Sequence, residues 1–297
     1  MKEEAAFPDL YLIPINFSEA SLNACYYALE MASKLKARIK LIHAYGLPDV
    51  RPMSFDDTEF YAGTLATHIT EIREEAEKNM ASFLEKITAY SKTKSLPEIP
   101  ITTNLINGVP DEIALYTAES EKPVLIIMGV SGMETRTFEP MGKIASRIVE
   151  KSAVPVLIIP EDMEFKGINE IKNVLYTTAF DETDFSAIGR LISIVQRLNM
   201  DIYCVHIGTE NNDPWDKIKM EGLKEYFNKA YGKTNVECDL IFSKDIIKAL
   251  DNFITEKDID LLSLTTKKRN LISKLINPSI ALKILYHTRI PLLVFHG

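Results

Sequence analysis

The most specific chemical signal in this chain is a set of glycines in register. Met128-Gly129-Val130-Ser131-Gly132 is followed, after nine residues, by Gly142-Lys143-Ile144, so the spacing reads G-x2-G-x9-G. Glycine directly after a strand lets the backbone turn tightly and approach a ligand, and a helix N-terminus offers unpaired N–H groups and a positive dipole end to a phosphate. The spacing predicts a phosphate-binding turn between an apolar strand (124–128) and a helix running through Ser146 and Val149. Doubly wound sheets bind ligands beyond the carboxyl ends of their strands. Pro14, Ile15 and Asn16, then His43 and Ala44, and the turn Asn107-Gly108-Val109-Pro110 are the further residues expected at that rim.

No pattern for covalent or metal catalysis accompanies the glycines. The chain has no G-x-S-x-G elbow, no H-E-x-x-H and no G-x-x-x-x-G-K-[ST] loop, since Thr137 stands where the last would need its first glycine. No catalytic residue and no metal ligand is expected, and any ATP hydrolysis would be slow and incidental. His43 and His206 sit at matching strand ends, where a hydrogen-bonded core histidine is the favoured reading over a catalytic base. Lys267-Lys268-Arg269 with Lys274 reads as a solvated basic face, with an anion site as the alternative. Trp215 is expected to pack under a crossover segment. Cys25, Cys204 and Cys238 are far apart in sequence without a C-x-x-C pair, so neither a disulfide framework nor a thiolate zinc site is expected.

An internal repeat supplies the elements that position these residues. Leu10-Tyr11-Leu12-Ile13-Pro14-Ile15-Asn16-Phe17 is echoed 163 residues later by Asn173-Val174-Leu175-Tyr176-Thr177-Thr178-Ala179-Phe180, and Ile39-Lys40-Leu41-Ile42-His43-Ala44 by Ile202-Tyr203-Cys204-Val205-His206-Ile207. Amphipathic helix patterns (21–35 and 185–198) separate the strands of each pair. The closing strands repeat at an offset of 136, so the second copy is shorter by 163 − 136 = 27 residues, lost between its second and third strands. Apolar strands alternating with helices predict two tandem Rossmann-like α/β domains, each a mostly parallel five-stranded sheet flanked by helices. The polar, Pro- and Gly-punctuated stretch 160–170 places the division at 1–165 and 166–297.

Composition narrows the partners. With 297 residues and 46% of them hydrophobic, the chain can bury two cores. Its 34 basic against 42 acidic residues give a net charge of −8, which disfavours nucleic acid or an anionic membrane as the main partner. A cytoplasmic protein without a membrane span is expected.

The opening strand with Pro14-Ile15-Asn16-Phe17-Ser18-Glu19, the Ile42-His43 strand end, the Gly108-Val109-Pro110 turn and the glycine run before Pro155-Val156-Leu157 together resemble the universal stress protein family, as two tandem copies. That resemblance implies an adenine nucleotide alpha hydrolase-like fold holding ATP or AMP, with Mg2+ entering alongside ATP. Pro14, Asn16 and Ala44 would border the nucleoside and Gly129, Gly132, Gly142, Lys143 and Ile144 the phosphates, with Ile15, Gly108 and Met128 also among the nucleotide-binding residues. Two positions depart from the family's pattern, which usually has Asp at Asn16 and Ser or Thr at Lys143. Asn16 would retain one carbonyl acceptor for a ribose hydroxyl, and Lys143 would either neutralise a phosphate or lie across the loop. In the second half Thr265, Lys268 and Pro278 replace the glycines, and Ala179 replaces the strand-end polar residue, so that half is not expected to bind ATP in the family manner.

Three functions follow as alternatives. The leading one is a stress-response protein that binds ATP or AMP in its first domain and acts as a nucleotide-linked regulatory module. The others are a nucleotide-independent scaffold and an adenylyl-transferring enzyme. The second half is expected to be the pseudo-symmetric partner of the first within one chain, with a homodimer forming through apolar edges at 156–159 and 292–295.

Overall fold

The structure is a computed structural model of the chain; it describes residues 7–46, 58–131, 143–163, 165–208, 214–231, 236–266 and 289–296. The first half runs β1 (Asp9–Pro14), α1 (Glu19–Leu35), β2 (Ala37–Tyr45), α2 (Thr58–Thr93), β3 (Ile101–Asn107), α3 (Pro110–Glu121), β4 (Leu125–Val130), α4 (Lys143–Lys151) and β5 (Val156–Pro160). The second runs β6 (Asn173–Thr177), α5 (Glu182–Leu198), β7 (Asp201–Gly208), α6 (Pro214–Tyr231), β8 (Val236–Phe242), α7 (Ile246–Glu256), β9 (Leu261–Thr266) and β10 (Leu292–His296). The repeat extends to the backbone. Left-handed residues recur as Phe17 and Phe180, as Lys36 and Asn199, and as Lys122 and Asp258, at the same two offsets as the sequence. Of the 27 residues by which the second copy is shorter, 36 − 18 = 18 are accounted for by α6, 18 residues against the 36 of α2.

All ten strands form one sheet in the order β3-β2-β1-β4-β5-β10-β9-β6-β7-β8. Every neighbouring pair is parallel except β5 and β10, which run antiparallel with Leu157 opposite Leu293. That pair sits on the pseudo-twofold axis relating the halves, because Val156 faces Val294 as Ile158 faces Leu292. The strands expected to be free edges for a homodimer are therefore each other's partners. Two strands with the same apolar composition satisfy their backbone groups by pairing within the chain.

Strands buried on both faces need no polar alternation, and successive side chains feed two cores. Tyr11, Ile13, Ile127, Leu157, Val174, Tyr176 and Leu293 join α1, α2, α5 and α6 on one face; Leu12, Ile126, Ile158, Leu175, Leu262 and Val294 join α3, α4 and α7 on the other. Both cores cross the seam between the halves. Arg197 on α5 reinforces the first by donating to the Leu35 carbonyl at the end of α1 and pairing with Asp9 at 3.6 Å.

The connection between the halves is anchored by a buried acid. Glu30 on α1 accepts from the Ile168 amide at 2.8 Å and from the Tyr90 hydroxyl at 2.6 Å, with the Lys94 ammonium 3.8 Å away. Gly167 turns in front of it at φ +125, where a Cβ would approach its carboxylate to 3.1 Å. Burial and this contact push the Tyr90 hydroxyl up. Glu30→Ala leaves the amide and hydroxyl without their acceptor and is expected to cost about 1–3 kcal/mol in urea denaturation.

Trp215 does not pack under the crossover. It stands 66% exposed in the first turn of α6, with Ile218 exposed one turn on. No described helix is long and apolar enough to cross a membrane.

Candidate functional site

The strand order turns back on itself between β1 and β4, which opens a crevice at their carboxyl ends. Ser18 caps α1 there, accepting from the Ser21 amide at 3.3 Å, and Phe17 takes the left-handed turn at φ 62 that feeds the chain into the helix. Gly108 closes the rim from the other side, its amide donating to the Tyr45 carbonyl at 2.9 Å. Its φ of +147 and an Ile113 methyl 3.0 Å from where a Cβ would sit make glycine necessary at that turn.

The expected residues divide into those that face the rim and those that do not. Asn16 is exposed, Pro14 and Ala44 are half-buried, and Lys143 and Ile144 are exposed in the first turn of α4. Ile15 and Met128 bury their side chains in opposite cores, so only their backbone groups face the crevice. Gly132 and Gly142 lie outside the described residues, as do Lys267, Lys268, Arg269, Lys274 and Pro278.

Gly129 has a packing requirement that spacing did not suggest. A Cβ there would meet the Ala20 carbonyl oxygen at 1.9 Å and the Ser21 nitrogen at 2.8 Å. The close approach it permits is that of β4 to the first turn of α1.

Asn16 also differs from expectation. Its Oδ1 accepts from the Ser18 amide at 3.2 Å, the Ser18 hydroxyl at 2.6 Å and the Ser21 hydroxyl at 2.7 Å. Because a backbone N–H can only donate, this fixes the amide orientation. The oxygen expected to receive a ribose hydroxyl is thus engaged, and Asn16 offers an outward N–H donor instead. The signal was present in the sequence as Asn16-x-Ser18-x-x-Ser21, an Asx turn running into a helix cap.

His43 and His206 serve the core. Each Nδ1 lies 2.8 Å from a strand-end carbonyl, of Ile15 and Thr178, and must donate to it; each ring lies 4.2 Å from the left-handed phenylalanine, Phe17 or Phe180. A residue pair missed from sequence fixes the helix that follows the glycine turn: Arg147 on α4 lies 2.9 Å from buried Asp111 at the start of α3.

At the matching place in the second half a buried network fills the gap between the sheet and the start of α5. Tyr176, at the place of Ile13, has its hydroxyl 2.7 Å from both Asp184 Oδ1 and Thr265 Oγ1, and Thr265 stands where Gly129 does in the first half. Asp184 Oδ2 accepts from the Thr178 hydroxyl at 2.7 Å and from the amides of Ala179 and Asp181 at 3.1 and 3.0 Å. Helix α5 touches β9 far less than α1 touches β4, which makes room for the Thr265 side chain. Burial pushes the Asp184 carboxyl up, against the hydrogen bonds that hold it down, and burial beside it pushes the Tyr176 hydroxyl up as well.

Comparison with known proteins agrees with this architecture. The model of the universal stress protein family matches residues 11–160. A universal stress protein of Methanocaldococcus jannaschii is 28% identical over 151 residues, 50% of this chain and 79% of its own length. The crystal structure of a universal stress protein from Archaeoglobus fulgidus superposes with a TM-score of 0.74 at 18% identity, covering 98% of this chain and 97% of that one, and so shares the whole tandem fold.

Proposed function

Because this chain belongs to the universal stress protein family, we propose that its first half binds an adenine nucleotide, ATP or AMP, and that occupancy regulates what the protein contacts. The observation that carries the reading is the difference between the two crevices. The first carries Gly129 near the end of β4 and an outward amide donor at Asn16, while the second has Thr265 and Ala179 at those places, with Thr265 tied into the buried Tyr176–Asp184 network. In this reading the Asn16 amide donates to a ribose oxygen, backbone at Ile15, Ala44 and Met128 borders the nucleoside, and the first turn of α4 with Lys143 meets the phosphates. Mg2+ enters as the counter-ion of ATP. The second half acts as the pseudo-symmetric brace, no turnover is required, and the cytoplasm is the compartment that free thiols suit.

Calorimetric titration with adenosine, AMP and ATP·Mg2+ tests this. One site per chain is expected, with Lys143→Ala changing ATP affinity and leaving adenosine unaffected. Asn16→Asp keeps the Ser18 and Ser21 bonds and turns a charged acceptor outward. It is expected to tighten all three ligands about fivefold, the roughly 1 kcal/mol by which a charge-assisted bond exceeds a neutral one. No heat and no thermal stabilisation at millimolar ATP would leave the nucleotide-independent scaffold as the surviving reading.

A further inference from the structure

The two cysteines of the second half, far apart in sequence, are neighbours in the sheet. Cys204 on β7 is in register with Cys238 on β8, and both thiols enter the core beneath α5 and α6. Adjacent strands lie about 4.8 Å apart, within the roughly 4.4–6.8 Å between Cα atoms that a disulfide spans. Cys204 is fully buried, whereas Cys238 is half-buried on β8, the last strand of the sheet.

We propose that Cys204 and Cys238 form a reversible dithiol site that a hydroperoxide oxidises to an intramolecular disulfide, stapling the edge strand β8 to β7. Cys238 is the attacking group, because it is the more accessible of the two. Hydrogen bonding to the Cys204 thiol draws the Cys238 thiol below its ordinary range and Lys224 on α6 adds to the effect, against burial and the carboxylates of Asp239 and Glu221. The same bond and burial push Cys204 up, with the Asp184 carboxylate of α5 adding to it.

The chemistry balances without another cofactor. The Cys238 thiolate attacks the outer oxygen of the hydroperoxide, the O–O bond breaks, and an alcohol leaves after taking up a proton; with hydrogen peroxide the product is water. Cys204 then attacks the sulfenic sulfur, the S–O bond breaks, and hydroxide departs as water with the Cys204 proton. Two thiols lose two electrons and the peroxide gains them. A thiol donor in excess reverses the step.

Full-length protein treated with hydrogen peroxide, then denatured, alkylated and digested, provides the test. Mass spectrometry is expected to show a peptide linking Cys204 to Cys238, two hydrogens lighter than the reduced pair and restored by dithiothreitol. Cys25, buried with its thiol pushed up by that burial, should be alkylated throughout. Cys204→Ser should accumulate a dimedone-reactive sulfenic acid at Cys238, and Cys238→Ser should leave Cys204 reduced. The proposal fails if Cys238 gains two or three oxygens while Cys204 stays alkylatable, if the disulfide joins two chains, or if neither thiol reacts under conditions that consume free cysteine.

Discussion

Gly129→Ala is expected to unfold the first half. The added carbon falls 1.9 Å from the carbonyl oxygen of Ala20 and 2.2 Å from its carbon, and both are backbone atoms held in the first turn of α1. No rotamer change relieves that contact, so β4 and α1 must separate. Their interface carries Ile127 from the strand and Ala24, Cys25 and Ala28 from the helix, all buried. Overpacking relieved by side-chain movement costs about 1–3 kcal/mol, and a backbone clash in the same place is expected to exceed about 3 kcal/mol. Gly222→Ala is the matched control. It lies in α6 with nothing within 4 Å of the new carbon, and is expected to raise stability by about 0.5–1 kcal/mol. Urea denaturation followed by far-UV circular dichroism reads both, and a Gly129→Ala protein as stable as the parent would refute the close approach.

The second large effect is expected at Asp184. This carboxylate collects the buried Tyr176 and Thr178 hydroxyls and the half-buried amides of Ala179 and Asp181, so Asp184→Ala removes the acceptor of all four at once. At about 1–3 kcal/mol for each donor left unsatisfied, with Tyr176 still able to use Thr265, the loss should come to about 4 kcal/mol. That is a large share of the 5–15 kcal/mol typical of a folded domain. Asp184→Asn should recover only part of it, because one of its two positions now donates towards donors. Ser21→Ala changes the pseudo-equivalent position, where the hydroxyl serves chiefly Asn16 at an exposed rim, and should cost about 1 kcal/mol. Equal losses at the two positions would contradict the assignment of the Tyr176–Asp184–Thr265 cluster as a structural network.

Much of the fold was legible because the repeat is written in apolar runs. Leu10–Ile13 and Val174–Tyr176 are recognisable as strands whatever packs on them, whereas the helices begin at Glu19 and Glu182, ahead of the amphipathic patterns at 21 and 185, because Ser18 and Asp181 cap them. The site was legible in position more than in purpose. Gly129 has the right spacing for a phosphate turn, yet the atoms that require it belong to Ala20, and only the tertiary fold brings them there. Asn16 showed its chemical type, but which of its two polar atoms remained outward depended on Ser18 and Ser21. The neighbourhood of Cys204 and Cys238 follows from strand register, which sequence patterning fixes only to within a face. The strands at 156–159 and 292–295 were recognised as sticky edges; what the pattern lacked was the identity of their partner.

The antiparallel seam at Leu157 and Leu293 gives the molecule opposed poles. Each half keeps its own strands parallel, so reversing direction at the seam points the first half's carboxyl rim one way and the second half's the other. The β5 and β10 ends show it, with Phe295 and Val154 lining the same cleft although one lies next to the end of its strand and the other precedes the start of its own. A binding partner seated on the Asn16 rim would find beside it the amino-terminal strand ends of the second half, and would not touch the Tyr176–Asp184 network. The fused pair is thus a two-sided object, with the Asn16 rim at one pole and the Tyr176–Asp184 network towards the other, and both halves share the sheet, the two cores and the Arg197 contacts between them.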